Sequence, residues 1–193
     1  CGGAPARRLR PEIPVWALPE IDSTKQPYRA SKADQEKILS RERNLDYIIA
    51  RPTQFTGSGK IPGVIEWYIA TEILKIKAGE IKSVSVKNKL GEVDILDARD
   101  VAKAFLTLIA KGAKGEVYHI SSGLPTTVEN VAKILLEISG LNPGRFRVVS
   151  TDTERTTYFR FSPQKLNKLG WKPKFNLKNA LTSYWEYFKN QER

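Results

Sequence analysis

Methionine is missing from this sequence, cysteine occurs once, at Cys1, and histidine once, at His119. A single thiol cannot close an internal disulfide or build a cysteine-based zinc site. A single imidazole excludes a histidine-rich metal centre, so no metal-ligating residues are assigned. No apolar run approaches the roughly 20 residues of a membrane-spanning helix, and no secretory pattern is visible. These absences lead us to expect a cytoplasmic protein with no membrane partner. With no methionine, and with Cys-Gly-Gly at its head, the sequence reads as a piece or processed form of a longer protein.

Acidic residues are too few to balance the basic ones: 21 Asp and Glu against 32 Lys and Arg give a net charge of +11. An excess of that sign favours phosphate-bearing partners, either nucleotides or nucleic acid. The lysines are scattered, however, and many have an acidic neighbour in sequence. No dense basic block with interleaved aromatics occurs, so we read a solvated basic surface with no nucleic-acid partner. A basic nucleic-acid-binding protein stays as a rival resting on charge alone.

Residues 1–25 are rich in Pro, Gly and Arg and show no periodicity, so they read as loop. Pro27 opens a helix that runs to about Arg43. "DYIIAR" is a short β-branched run closed by Pro52, a buried strand, and "TGSGK" after it is a glycine-rich loop. A helix follows over 63–78, then two short strands over 82–86 and 92–96. Residues 97–111 form an amphipathic helix whose stripe is Val101, Ala104, Phe105, Leu108 and Ile109. "GEVYHIS" is a strand. "TTVENVAKILLEISG" is a helix with Thr126 and Glu129 as a capping box and Gly140 as its stop. "RFRVVS" is a further strand, a helical turn lies near 163–169, and a last helix starts near Leu177 with Leu181, Tyr184, Trp185 and Phe188 facing inward. Strands alternating with helices predict an α/β layered structure.

The head of the first helix carries the pattern with chemical content. In "QPYRASKADQEKIL", Tyr28 and Lys32 are four apart, on one helical face and one turn from each other. An ammonium held beside a phenol favours the phenolate, and a helix N-terminus favours an anion as well. Such a phenol can pass a proton to or from a substrate hydroxyl. Taken alone the pair is common and describes an ordinary helix surface equally well.

The order of segments narrows the reading. "PYRASK", "RPTQFTGSGK", "VDILDARDVAKAFLTLIAKGAKGEVYHISSG" and "KLNKLGWKPKFNLKNALTSYWEYF" resemble, in order, four motifs of the extended short-chain dehydrogenase/reductase family, which includes nucleotide-sugar epimerases, dehydratases and reductases. The likeness covers about Leu18 to Phe188 and is similar in flavour to GDP-mannose dehydratases and GDP-4-keto-6-deoxymannose reductases. It implies the C-terminal part of a Rossmann-type parallel sheet plus a small α/β substrate-binding subdomain. Residues 1–61 would end the Rossmann-type domain, and 62–193 would be mainly substrate subdomain with interleaved returning segments. It implies NAD or NADP as cofactor, Tyr28 as acid/base and Lys32 as the residue that tunes it and holds the nicotinamide ribose. Arg51, Pro52 and Phe55 would lie beside the cofactor, and Gln54, Lys60 and Arg155 would meet a nucleotide-sugar. A homodimer is implied too, paired through the helix that carries Tyr28.

The sequence departs from that family in three places. No G-x-G-x-x-G turn is present, so a missing N-terminal half is expected as a partner or an unrecorded segment. The family's phosphate-binding arginine falls on Val93, and its loop asparagine falls on Gln54. A catalytic Ser or Thr is not identified. The rival to an enzyme is therefore a binding module of the same descent, holding a nucleotide-sugar or a protein without catalysis. His119, Trp171 and the pair Trp67 and Tyr68 read as packing or interface residues, and Asp100 as a cap or salt-bridge partner at a helix start.

Overall fold

The computed structural model describes residues 24–42, 44–59, 62–152 and 161–191. Its elements alternate as the sequence predicts. Helix α1 spans Pro27–Arg41, strand β1 Ile49–Pro52, strand β2 Gln54–Thr56 and helix α2 Ile65–Lys77. Strands β3 (Ser83–Val86), β4 (Glu92–Val93) and β5 (Ile95–Asp97) lead into α3 (Ala98–Lys111). Then come β6 (Val117–Ile120), β7 (Thr126–Thr127), α4 (Val128–Ile138), a 3₁₀ turn at Pro143–Arg145, β8 (Arg147–Ser150), α5 (Gln164–Asn167) and α6 (Leu177–Gln191).

Three strand pairs are parallel: β1 with β6, β2 with β5, and β3 with β8. Parallel pairs need long crossovers, and the intervening helices supply them. An antiparallel pair, β4 with β7, sets Glu92 opposite Thr127 and Val93 opposite Thr126. The α/β expectation holds. Two short strands depart from the sequence pattern: Gln54–Thr56 falls where a loop is expected, and Thr126–Thr127 where a helix is expected to start.

Two main hydrophobic cores hold these pieces, and Ile49 and Val117 with Tyr47 form a third, small cluster. The larger joins α2, α4 and α6 to β3 and β8. The i, i+3, i+4, i+7 spacing puts one face of each helix inside: Ile69, Ala70, Ile73 and Ile76 from α2, Val131, Ala132, Leu135 and Leu136 from α4. From α6 come Leu181, Tyr184, Trp185 and Phe188, inward as expected, with Phe188 stacked at 5.8 Å on Tyr184 and 6.1 Å on Trp185. Truncating a fully buried leucine such as Leu135 costs about 2–5 kcal/mol at such a site. The smaller core gathers Leu96, Val101, Ala104, Leu108, Tyr118, Ile120, Leu166 and Trp171.

The apolar stripe of α3 is narrower than expected. Val101, Ala104 and Leu108 are buried, but Phe105 is 41% exposed and Ile109 80% exposed. These two lie on the edge of the helix that no described element covers. The cap of α4 also moves by one residue. Thr127, not Thr126, is the N-cap and accepts the Asn130 backbone N–H, while Glu129 pairs with Lys133 instead of reaching back. Pairing of β7 with β4 extends the backbone through Thr127, which sets the cap there. The stop is as predicted: Gly140 turns left-handed at φ 86°, a conformation that costs glycine little, and Leu141 donates back to the Leu136 carbonyl.

Asp100 is no cap either. Asp97 caps α3 by accepting the Arg99 N–H. Asp100 is fully buried, and its Oδ2 accepts the backbone N–H groups of Lys174 (2.9 Å) and Phe175 (2.8 Å). The Trp171 indole donates to the Asp100 carbonyl at 3.0 Å, and the Arg99 guanidinium lies 3.7 Å from the centre of the Phe175 ring. These contacts tie the loop before α6 to the start of α3. No described helix is long and apolar enough to cross a membrane.

Candidate functional site

Pro27 lacks the N–H that a first helical turn leaves unpaired, so it opens α1 without loss and delivers Tyr28 to the first turn. Ala30 and Ala33 are the buried residues of α1, which turns Tyr28 outward with 74% of its surface exposed. The Lys32 ammonium lies 5.7 Å from the centre of the Tyr28 ring and 3.4 Å from the Gln35 amide oxygen. The predicted pair is therefore assembled on one face, with no described residue hydrogen-bonded to the phenol.

An ion pair fixes α1 against the strand behind it. The Arg51 guanidinium donates from Nε to both Glu36 carboxylate oxygens (3.0 and 3.2 Å) and from Nη2 to Oε2 at 2.5 Å. Both side chains are more than four-fifths buried. Arg51 precedes Pro52, the last residue of β1, and the next backbone N–H, of Thr53, donates to the Ile120 carbonyl at 2.9 Å, so the crossing into β2 follows the end of β6. On β2, Phe55 is 45% exposed, while Gln54 turns toward α2 and donates its amide to the buried Glu66 carboxylate at 2.7 Å. Lys60 and Arg155 lie outside the described residues.

A second feature is a groove of about 740 Å³ between α2, β3 and β4. Trp67 and Tyr68 line it with rings edge to face at 5.0 Å, and Val86 and Val93 form apolar wall. The Trp67 indole N–H is buried with no partner among the described residues. Two lysines reach the groove: Lys75 is paired with Glu72 at 3.1 Å, whereas no described residue pairs with Lys87. None of the described residues picked from the sequence lines this groove. Trp67 does pack against the large core, as expected, but Tyr68 is 54% exposed. Adjacent aromatics at 67 and 68 were the available signal, and helical spacing hid it.

The buried titratable groups near β5 and β6 are accounted for by packing and hydrogen bonds. Burial pushes the Asp94 carboxyl up, and the Ser122 hydroxyl (2.6 Å) and backbone N–H (3.0 Å) pull it back in part. Burial opposes ionisation of Asp97 too, but the Arg99 hydrogen bonds outweigh it and hold that carboxyl low. His119 is 3% exposed and edge-on to Phe161 at 4.8 Å. Burial, then the charges of Arg51 and Lys165, hold its imidazole down at about 4, so it is a neutral core residue, as read from the sequence. No cluster of His, Cys, Asp and Glu able to hold a metal occurs among the described residues. The basic surface is dispersed: Lys37, Lys114, Lys165, Lys178 and Lys189 each sit against a carboxylate.

Comparison with known proteins gives a match between residues 12–121 and the model of the NAD dependent epimerase/dehydratase family. The chain is 25% identical over 182 residues to the GDP-6-deoxy-D-mannose reductase of Pseudomonas aeruginosa, covering 86% of this chain and 58% of that protein. It is 24% identical to the dTDP-D-glucose 4,6-dehydratase of Homo sapiens, over 84% of this chain and 48% of that one. The chain thus spans about half the length of the curated relatives it matches. Among solved structures, the fold matches that of RMD from Pseudomonas aeruginosa, complexed with NADPH, with a TM-score of 0.79 at 23% identity, over 91% of this chain and 59% of that one. A UDP-glucose 4-epimerase of Thermotoga maritima, with UDP-glucose, matches with a TM-score of 0.73 at 26% identity, over 86% of this chain and 54% of that one.

Proposed function

This chain belongs to the NAD dependent epimerase/dehydratase family, and from that premise we propose that it carries the proton-transfer helix and the substrate groove of an enzyme that oxidises or reduces a sugar carbon within a nucleotide-sugar. The observation that carries the reading is the exposed Tyr28 with the Lys32 ammonium one turn away, on a helix that the Arg51–Glu36 ion pair holds in place. Tyr28 gives a proton to a sugar carbonyl oxygen, or takes one from a sugar hydroxyl, at its phenolic oxygen. Lys32, its ammonium 5.7 Å from the centre of the Tyr28 ring, holds a ribose hydroxyl.

The described residues fit the nicotinamide end of a dinucleotide. Both polar groups of the Tyr28–Lys32 pair face outward, and Phe55 offers an exposed apolar ring on the strand that follows. When bound, NAD or NADP supplies hydride transfer. The pyrophosphate end fits nothing described: no helix among the described residues starts from a G-x-G-x-x-G turn. A second reading is a non-catalytic nucleotide-sugar-binding module, which retention of Tyr28 and Lys32 argues against.

The groove suits a ring-bearing anion. Trp67 and Tyr68 offer aromatic surface, and Lys87 offers a cation free to meet a phosphate. Calorimetric titration of the chain with GDP-mannose tests this assignment. Saturable binding, weakened about tenfold by Tyr68→Ala, supports it. Absence of binding, or binding indifferent to Tyr68, contradicts it.

A further inference from the structure

Helix α3 carries two apolar stripes. The inner one, Val101, Ala104 and Leu108, is buried in the smaller core. The outer one is Ala102, Phe105, Leu106 and Ile109, the i, i+3, i+4, i+7 series that puts side chains on one helical face. Its large members are open to water: Phe105 is 41% exposed, Leu106 67% and Ile109 80%. Single exposed apolar residues are ordinary, but three large ones in helical register form a strip about two turns long.

The strip is separate from the Tyr28 site. Successive strand residues point to opposite faces of a sheet. On β1, Arg51 reaches Glu36 of α1, whereas Ala50 packs against the core that holds α3. Helices α1 and α3 therefore lie on opposite faces of the β1–β6 pair.

One long side of the strip has a basic margin. Segment 169–174 is tied to α3 at two places: the Lys111 ammonium donates to the Leu169 carbonyl at 3.2 Å, and Asp100 accepts the Lys174 N–H at 2.9 Å. Eleven residues make about three helical turns, so Asp100 and Lys111 stand nearly in line along α3. Lys103 falls between that line and the strip. Lys103, Lys172 and Lys174 are exposed, and none forms an ion pair with a described carboxylate. The outer face of α3 offers no carboxylate of its own, because the acidic residue of the helix, Asp100, is buried.

These features select among occupants. A second copy packed antiparallel about a two-fold axis would lay one basic margin along the other, and a parallel copy would bring no α3 carboxylate to either. Anionic lipid headgroups surround an interfacial helix and favour cations around the whole strip, whereas here they line one side. A helix with apolar residues at the same spacing and Glu or Asp along one flank satisfies both strip and margin.

We propose that the outer face of α3 is a docking surface for a separate protein that presents an acidic amphipathic helix. Its apolar stripe covers Phe105, Leu106 and Ile109, and its carboxylates meet Lys103, Lys172 and Lys174. One helix face makes a small interface, so the complex is transient.

The test titrates a stapled, fluorescent helical peptide with the 193-residue chain, read by anisotropy. The peptide has Leu at i, i+3, i+4 and i+7 and Glu along one flank; a control peptide carries Lys in place of each Glu. The acidic peptide binds with a Kd of about 10–100 μM, and the basic one about tenfold more weakly or worse. Ile109→Glu weakens the acidic peptide by about tenfold with the thermal midpoint unmoved, because that side chain is already exposed. The double variant Lys103→Glu, Lys172→Glu keeps the strip and inverts the preference between the two peptides. Equal binding of both peptides marks the strip as merely adhesive and overturns the proposal, as does binding of neither. Sedimentation of the chain alone and flotation with phosphatidylserine-containing vesicles address the rival occupants. Dimerisation or vesicle binding that Ile109→Glu abolishes overturns the proposal too. No nucleotide-sugar enters the assay, so its outcome is independent of the catalytic reading.

Discussion

Arg51 and Glu36 are the joint between the helix that bears Tyr28 and the strand behind it: three N–H···O contacts between a guanidinium and a carboxylate, the shortest 2.5 Å, with both side chains mostly out of water. Removing Glu36 deletes the charged acceptor of all three contacts from a mostly buried guanidinium. Glu36→Ala therefore costs about 3 kcal/mol, read as a lower denaturation midpoint at unchanged slope. A loss below about 0.5 kcal/mol would show that the pair behaves as a solvated surface contact.

Asp100 anchors the loop before α6 through two backbone N–H groups and holds Trp171 through its carbonyl. Hydrogen bonds to a charged acceptor are the stronger kind. Asp100→Ala strands both donors and costs about 3 kcal/mol, measured by urea unfolding. Substitution of the exposed neighbour Lys103 serves as the comparison and leaves stability within about 0.5 kcal/mol.

His119 makes stability fall with acid. Its imidazole sits at about 4 in the fold against an ordinary 6.5, so between those values the unfolded chain binds a proton that the folded chain refuses. The contribution is complete above about pH 6.5 and is lost progressively as pH falls toward 4, by at most about 3 kcal/mol. The His119→Phe variant lacks that part of the slope. Parallel stability–pH curves for the two proteins over this window would refute the assignment.

The organisation of the chain was legible from its sequence where local rules and burial agree. The spacing of Val131, Ala132, Leu135 and Leu136, with Gly140 behind them, announces α4 and its left-handed stop, and both are present. Proline at position 27 announces the head of α1 and the outward Tyr28–Lys32 pair. What failed depended on partners distant in sequence. Thr126 lost the cap because pairing with β4 keeps the backbone extended through Thr127, and Phe105 and Ile109 stay exposed because no described element reaches that side of α3. Asp100 looked like a cap because its partners, at 174 and 175, are over seventy residues away. The groove was hidden for a similar reason: Trp67 and Val93 meet only after β3 and β4 are laid beside α2.

Cofactor affinity follows from what the described residues offer. They supply a fit for the nicotinamide end but no pyrophosphate cradle, so the 193-residue chain binds NAD or NADP no tighter than about millimolar. Calorimetry with both cofactors checks this. Micromolar affinity would place a dinucleotide cradle in this chain that Tyr28, Lys32 and Phe55 do not account for.

The central claim is that Tyr28 moves the proton, and one substitution addresses it. Tyr28→Phe keeps the ring and the helix and deletes only the hydroxyl. In the enzyme that carries both halves of the family fold, assayed by nicotinamide absorbance with its nucleotide-sugar substrate, turnover falls by about two to four powers of ten while KM for the sugar nucleotide stays within about threefold. Turnover at the wild-type level would contradict the account and leave Tyr28 as a surface residue of an ordinary helix.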